Sequence, residues 1–179
     1  FGSTKALGKI KDMLMGIETF LLGVLIILSL YHFIIYYYRR PDKSMLYFAL
    51  TSMFLLFRLS TTGEKVLLGL FPFIPWEIAI RIEYMSLPLI GMGLTNFIFQ
   101  MLPENIPVWF KRSINIMGLI FCGIILFFPA SIFTYTIFII TIITAYLMIA
   151  LFIFLLKAQL QKRRNAQGLF WGFAMIFLV

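Results

Sequence analysis

The sequence predicts an all-α integral membrane protein, a polytopic helix bundle, and three observations carry that class. Hydrophobic residues make up 62% of the chain and charged residues 12%, where soluble domains hold roughly 45–50% and about 25%. The apolar residues fall in long unbroken runs, most of them near the length of about 20 that a helix needs to cross a bilayer. The basic residues, which give a net charge of +8, gather in short clusters between those runs. A soluble core cannot hide so much apolar surface, so the lipid bilayer has to cover it. Unbroken runs also exclude a β-barrel, whose strands alternate. Basic clusters between spans fit loops beside anionic lipid rather than a phosphate-tracking face, so no nucleic-acid partner is expected.

Each span has a recognisable start or stop. The first runs from Gly16 to Tyr38 and ends in YYYRR, an interfacial aromatic belt followed by Arg39 and Arg40, with Pro41 stopping the helix. The second runs from Ser44 to Thr62, where Gly63 is the expected terminator. The third covers Glu77 to Leu102 and closes at Pro103. The fourth covers Lys111 to Phe128 before Pro129, and the fifth Ile132 to Leu156. KAQLQKRRN then separates a sixth run, Ala166 to Val179, that is too short to span alone. About six spans of an expected seven are therefore visible, over residues 16–179, and residues 1–15 read as a linker from something upstream. Between the second and third spans, GEKVLLGLFPFIPWE is too short and too proline-broken to cross. Its Phe71, Phe73 and Trp76 suit the membrane interface.

The basic residues set the expected orientation. Arg39, Arg40, Lys43, Lys111, Arg112, Lys157, Lys162, Arg163 and Arg164 fall on one side. The other side holds Lys65 and the N-terminal Lys5, Lys9 and Lys11. The positive-inside rule puts the first set in the cytoplasm and the N-terminus outside.

Enzyme signatures are missing: there is no paired-cysteine or HExxH pattern, no phosphate-binding glycine loop and no GxSxG elbow. No catalytic, cofactor or metal site is expected in this segment. Cys122 is the single cysteine and reads as a buried thiol. His32, the single histidine, lies inside the first span; a hydrogen-bonded buried residue is the plainer reading and a proton sensor the sharper one.

The stronger signal is charge inside the spans. Arg58 sits near the outer end of the second, Arg81 and Glu83 near the outer end of the third. Such charges face a cavity or a partner, unless they snorkel to the interface. Glu83, Ser86, Gly93, Asn96 and Gln100 recur at helical spacing and lay a polar stripe along one face of the third span. The stripe is either interhelical hydrogen-bond glue, with Gly91 and Gly93 allowing close approach, or the wall of a ligand-accessible cavity. Thr134, Thr141 and Thr144 of the fifth span read as packing residues. Depth arithmetic pairs Arg58 with Glu83 and leaves Arg81 to Glu77 or to the surface. Arg58, Arg81, Glu83, Ser86, Asn96, Gln100 and His32 are thus the candidate ligand or signalling residues.

The order of several segments resembles the membrane domain of bacterial seven-transmembrane receptors with diverse intracellular signalling modules. The segments are LLGVLIILSLYHFIIYYYRRPDKSMLYFAL, TTGEKVLL with PWE, RIEYMSLPL and FQMLPEN. One departure is His32, where a small polar residue, often asparagine, follows the tyrosine. The resemblance implies a receptor bundle in the bacterial inner membrane that relays an extracytoplasmic ligand signal. It also implies a sensory domain upstream, whose tail FGS resembles, and a cytoplasmic output downstream: a histidine kinase, diguanylate cyclase, nucleotide cyclase or phosphatase. A homodimer is left open. The rival reading is a small transporter or channel with its polar path along the third helix; no repeated half or matched pair of broken helices supports it.

Overall fold

The computed structural model describes residues 2–63, 66–161 and 167–171. Its elements are α1 (Gly2–Tyr38), α2 (Lys43–Thr61), α3 (Val66–Leu70), α4 (Trp76–Met101), α5 (Val108–Phe127), α6 (Ala130–Phe133) and α7 (Thr136–Leu160). Among the described residues, five of these are long and apolar enough to cross a membrane.

The boundaries follow local chemistry. Asp42 caps α2 by accepting a hydrogen bond from the Ser44 amide at 3.0 Å. Pro75, Pro107 and Pro129 stand immediately before α4, α5 and α6, where a missing N–H costs nothing. At the far end of α2 the chain turns at Gly63 with φ +66°, a left-handed conformation that favours glycine.

Three expectations are adjusted. The first helix does not start at Gly16: α1 extends back to Gly2, a run of 37 residues. At 1.5 Å per residue that is about 55 Å, against a hydrocarbon core of about 30 Å, so a large part of α1 stands outside the apolar layer. The fourth span begins three residues earlier than expected, at Val108, because Pro107 and not Lys111 opens it. The fifth is broken: Thr134 and Tyr135 separate the short α6 from α7. The interfacial segment contains one short helix, α3, and its Phe71, Phe73 and Trp76 are exposed. Lys65, Lys162, Arg163, Arg164 and most of the sixth run lie outside the described residues. Residues 167–171 are helical, and Phe170 packs on Phe152 of α7 with ring centroids 5.6 Å apart.

α4 is the hub. It packs most extensively on α2 and α5, and also on α7, while α1 lies against α2. Of the most apolar stretch of α4, 39% is buried, against 11% for α1. Those fractions decide the roles: α4 is an interior helix and α1 a peripheral one, its outer face left to lipid.

Glycine makes the close approaches. A side chain at Gly93 would collide with Thr51 of α2, and one at Gly118 of α5 with Met92 of α4. Gly91 leaves room for Leu147 of α7. These contacts match the small-residue packing of helices in lipid, where apolar side chains alone give little reason to associate. Two apolar clusters complete the interior. One, around Ile98, Phe110, Leu151 and Leu155, joins α4, α5 and α7 at the end near the α4–α5 loop. The other joins Ile125, Phe133 and Ile140 at the opposite end.

Candidate functional site

The predicted site residues of α2 and α4 do meet, but not as charges. Arg58 Nη1 donates to the backbone carbonyl of Glu83 at 3.2 Å, and the Ser86 hydroxyl donates to the same carbonyl at 2.6 Å. Among the described residues no ion pair joins Arg58 to the Glu83 carboxylate. The expected Arg58–Glu83 salt bridge is therefore corrected to a side-chain-to-backbone bond. Pro88 sits inside α4 and has no N–H, so the carbonyl of Tyr84 loses its helical donor. The Glu83 carbonyl is one residue before that freed group: it keeps the Leu87 N–H in helical register and accepts from Arg58 of α2 through its remaining lone-pair capacity.

The Glu83 side chain instead lines a pocket of about 80 Å³ with Thr61, Leu68, Trp76, Ala79 and Ile80. Trp76, Ala79, Ile80 and Glu83 follow at intervals of three, one and three along α4, one face of a helix. α2 and α3 supply the opposing wall through Thr61 and Leu68.

Arg81 is also reassigned. Among the described residues it forms no ion pair with Glu77, and it is only partly exposed. Its Nη1 donates to the carbonyls of Ile125 and of Leu126, the latter at 3.0 Å. Its guanidinium lies 5.4 Å from the centre of the Phe133 ring. The last carbonyls of a helix lack intrahelical donors and carry the negative end of its dipole, so a guanidinium there is well placed. Arg81 thus ties α4 to the end of α5 and the start of the α6 turn.

Deeper in the bundle, Asn96 and Asn115 exchange amide hydrogen bonds between α4 and α5, at 2.7 and 3.3 Å. Asn96 also donates to the Met92 carbonyl at 2.7 Å. Asn115 was not among the predicted residues; it is the amide of SINIMGLIF and lies at the depth of Asn96 on the adjoining helix. Gln100, expected on the same stripe, is exposed and does not join this network.

His32 is placed apart, on α1. Its Nδ1 bonds the Leu28 carbonyl at 2.8 Å, so that nitrogen carries a proton. Its ring tilts against Phe48 of α2 at 4.4 Å, and Phe48 against Phe97 of α4 at 5.2 Å. Nearby, the Ser29 hydroxyl donates to the Ala49 carbonyl at 3.0 Å, a buried tie between α1 and α2. Thr141 and Thr144 bond the carbonyls four residues back on their own helix, at 2.8 Å each.

A second space lies between α4, α5 and α7, against Pro88, Gly91, Gly118 and Thr144, with about 30 Å³ of free interior. It is apolar and connects neither with the Asn96 pair nor with the Glu83 pocket through shared lining residues.

Comparison with known proteins decides the family. The family described as 7TM diverse intracellular signalling matches residues 14–179. The chain belongs to that family. No curated protein and no solved structure gives a match. As a 7TM diverse intracellular signalling domain, the chain is a multi-pass membrane protein and a signal-transducing receptor element. In this signalling domain, Arg58, Glu83, Ser86 and Arg81 join α2, α4 and α5 at one end, and Asn96 with Asn115 joins α4 to α5 within.

Proposed function

We propose that this bundle relays a ligand signal from outside the cytoplasm to a signalling module on the cytoplasmic side of a bacterial inner membrane. The Arg58 end is the outer end in this reading, in keeping with the excess of Lys and Arg at the opposite loops. An upstream sensory domain feeds the signal in through α1, whose helix runs on past the span toward Gly2.

The observation that carries the reading is the shared carbonyl of Glu83. One helix, α4, is gripped at its outer end by Arg58 from α2, and through Arg81 it grips the end of α5. Both contacts lie on the outer side of Pro88, where α4 lacks one of its own hydrogen bonds. A small displacement of α2 or of the α3 segment therefore reaches α5 through a helix already weakened at that turn. Such an arrangement suits a population shift between two helix packings. The transporter alternative loses support because Asn96 is taken up by Asn115, not by a water-lined path.

The experiment is to restore the missing bond. Pro88→Ala in the intact chain returns a donor to the Tyr84 carbonyl and stiffens α4. Basal output of the attached module, normalised to membrane abundance, is expected to shift about tenfold, a coupling change of about 1.4 kcal/mol. Unchanged basal and stimulated output would refute the relay through α4.

A further inference from the structure

The pocket beside Glu83 is lined by two polar residues, Glu83 and Thr61, by one aromatic, Trp76, and by aliphatic side chains. Glu83 contributes a carboxylate that, among the described residues, has neither a hydrogen-bond nor an ion-pair partner. The nearest cation by sequence expectation, Arg58, spends its bond on the main chain of Glu83 and does not line the pocket. A carboxylate within a membrane span that lacks a protein partner is a strong candidate for a ligand contact. Thr61 stands opposite, 3% exposed, and its hydroxyl donates to the Phe57 carbonyl at 2.9 Å. That hydroxyl oxygen keeps acceptor capacity, so the pocket's polar residues present acceptors and no described cation lines it.

The rest of the pocket is apolar. Leu68, Ala79 and Ile80 form its walls. Trp76 lies two helical turns from Glu83 on the same face of α4, about 10 Å along the axis, and its indole is 64% exposed. Along α4 the lining runs from Glu83 through Ile80 and Ala79 to Trp76.

We propose that this pocket binds a small primary amine with an apolar or aromatic body. The ammonium donates to the Glu83 carboxylate and to the Thr61 hydroxyl, the body lies along Leu68 and Ile80, and the indole of Trp76 covers it. An inorganic cation would use Glu83 but gain nothing from the wall, and a neutral molecule would leave the carboxylate unpaired. The proposal rests on the receptor reading only for what occupancy does to the bundle; binding itself is read separately.

The test is binding of radiolabelled phenethylamine to the intact chain in lipid nanodiscs, with empty nanodiscs measuring partition into lipid. Saturable binding above that background is expected, competed by unlabelled phenethylamine but not by 2-phenylethanol or by sodium ion. Glu83→Gln is expected to weaken it roughly ten- to hundredfold, as loss of a charge-assisted bond does, and Glu83→Asp to weaken it less. Trp76→Ala, at an exposed position that the fold tolerates, is expected to weaken it by a few-fold to about tenfold. Binding no better than to empty nanodiscs, equal competition by the alcohol, or affinity unmoved by both Glu83→Gln and Trp76→Ala overturns the proposal. Binding that behaves as expected while output stays fixed would instead sink the relay and leave the site standing.

Discussion

The Glu83 end of α4 and its middle solve the same problem by different means. Each holds polar groups inside an apolar bundle, and each must give them partners because lipid offers none. In the middle, Asn96 and Asn115 satisfy each other, side chain to side chain, across α4 and α5. At the Glu83 end, Arg58 and Arg81 each donate to main-chain carbonyls on a neighbouring helix. The difference lies in the backbone. In the middle, Asn96 donates back to the Met92 carbonyl of its own helix as well as to Asn115, so the tie between helices there runs through side chains. At the end of α5 the carbonyls of Ile125 and Leu126 lack helical donors and take Arg81, while Arg58 shares the Glu83 carbonyl with the Ser86 hydroxyl.

The largest effect is expected where the backbones come closest. Gly93→Val puts methyl groups into Thr51, whose Cα is 3.4 Å from the position of the added carbon. The α2–α4 interface should lose about 1–3 kcal/mol, the range for overpacking, measured by reversible unfolding in mixed micelles. Gly118→Val should cost less, because the obstacle is the flexible Met92 side chain. Equal costs would mean that the α2–α4 contact is looser than described.

The middle is sharpened by stranding one amide. Asn96→Leu leaves Asn115 without its partner and should destabilise the bundle by about 1–2 kcal/mol. Replacing both with leucine removes the stranded group and should recover part of that loss. Two losses that simply add would mean the amides do not depend on each other.

The long apolar runs, the proline stops and the basic loops made five of the spans legible, with ends that moved by a few residues. The break at Thr134 and Tyr135 was hidden because IFTYTIF remains apolar enough to read as continuous helix. The polar stripe was readable as far as Asn96, since spacing alone sets which residues share a face. Asn115 could have been found by the depth arithmetic applied to Arg58 and Glu83: it and Asn96 lie at similar distances from the turn at residues 102–107. What spacing could not supply was a main-chain partner. Every residue has a carbonyl; the helix end at Phe127 marks the free ones that Arg81 takes, but nothing marks the carbonyl of Glu83, since the proline at 88 frees that of Tyr84. Gln100 shows the opposite limit, a residue at the right period that comes one turn too close to the end of α4 to be buried.

The central claim is that Arg58 holds the main chain of Glu83, and a double-mutant cycle on Arg58→Ala and Glu83→Gln tests it most directly. Removing the guanidinium should destabilise the bundle by about 1 kcal/mol, while Glu83→Gln leaves the carbonyl and its bond in place. Unfolding free energies of the two single variants and the double variant should then add to within about 0.5 kcal/mol. A coupling of about 1.5 kcal/mol or more would contradict the account, because it would mean that the arginine and the carboxylate meet as a pair.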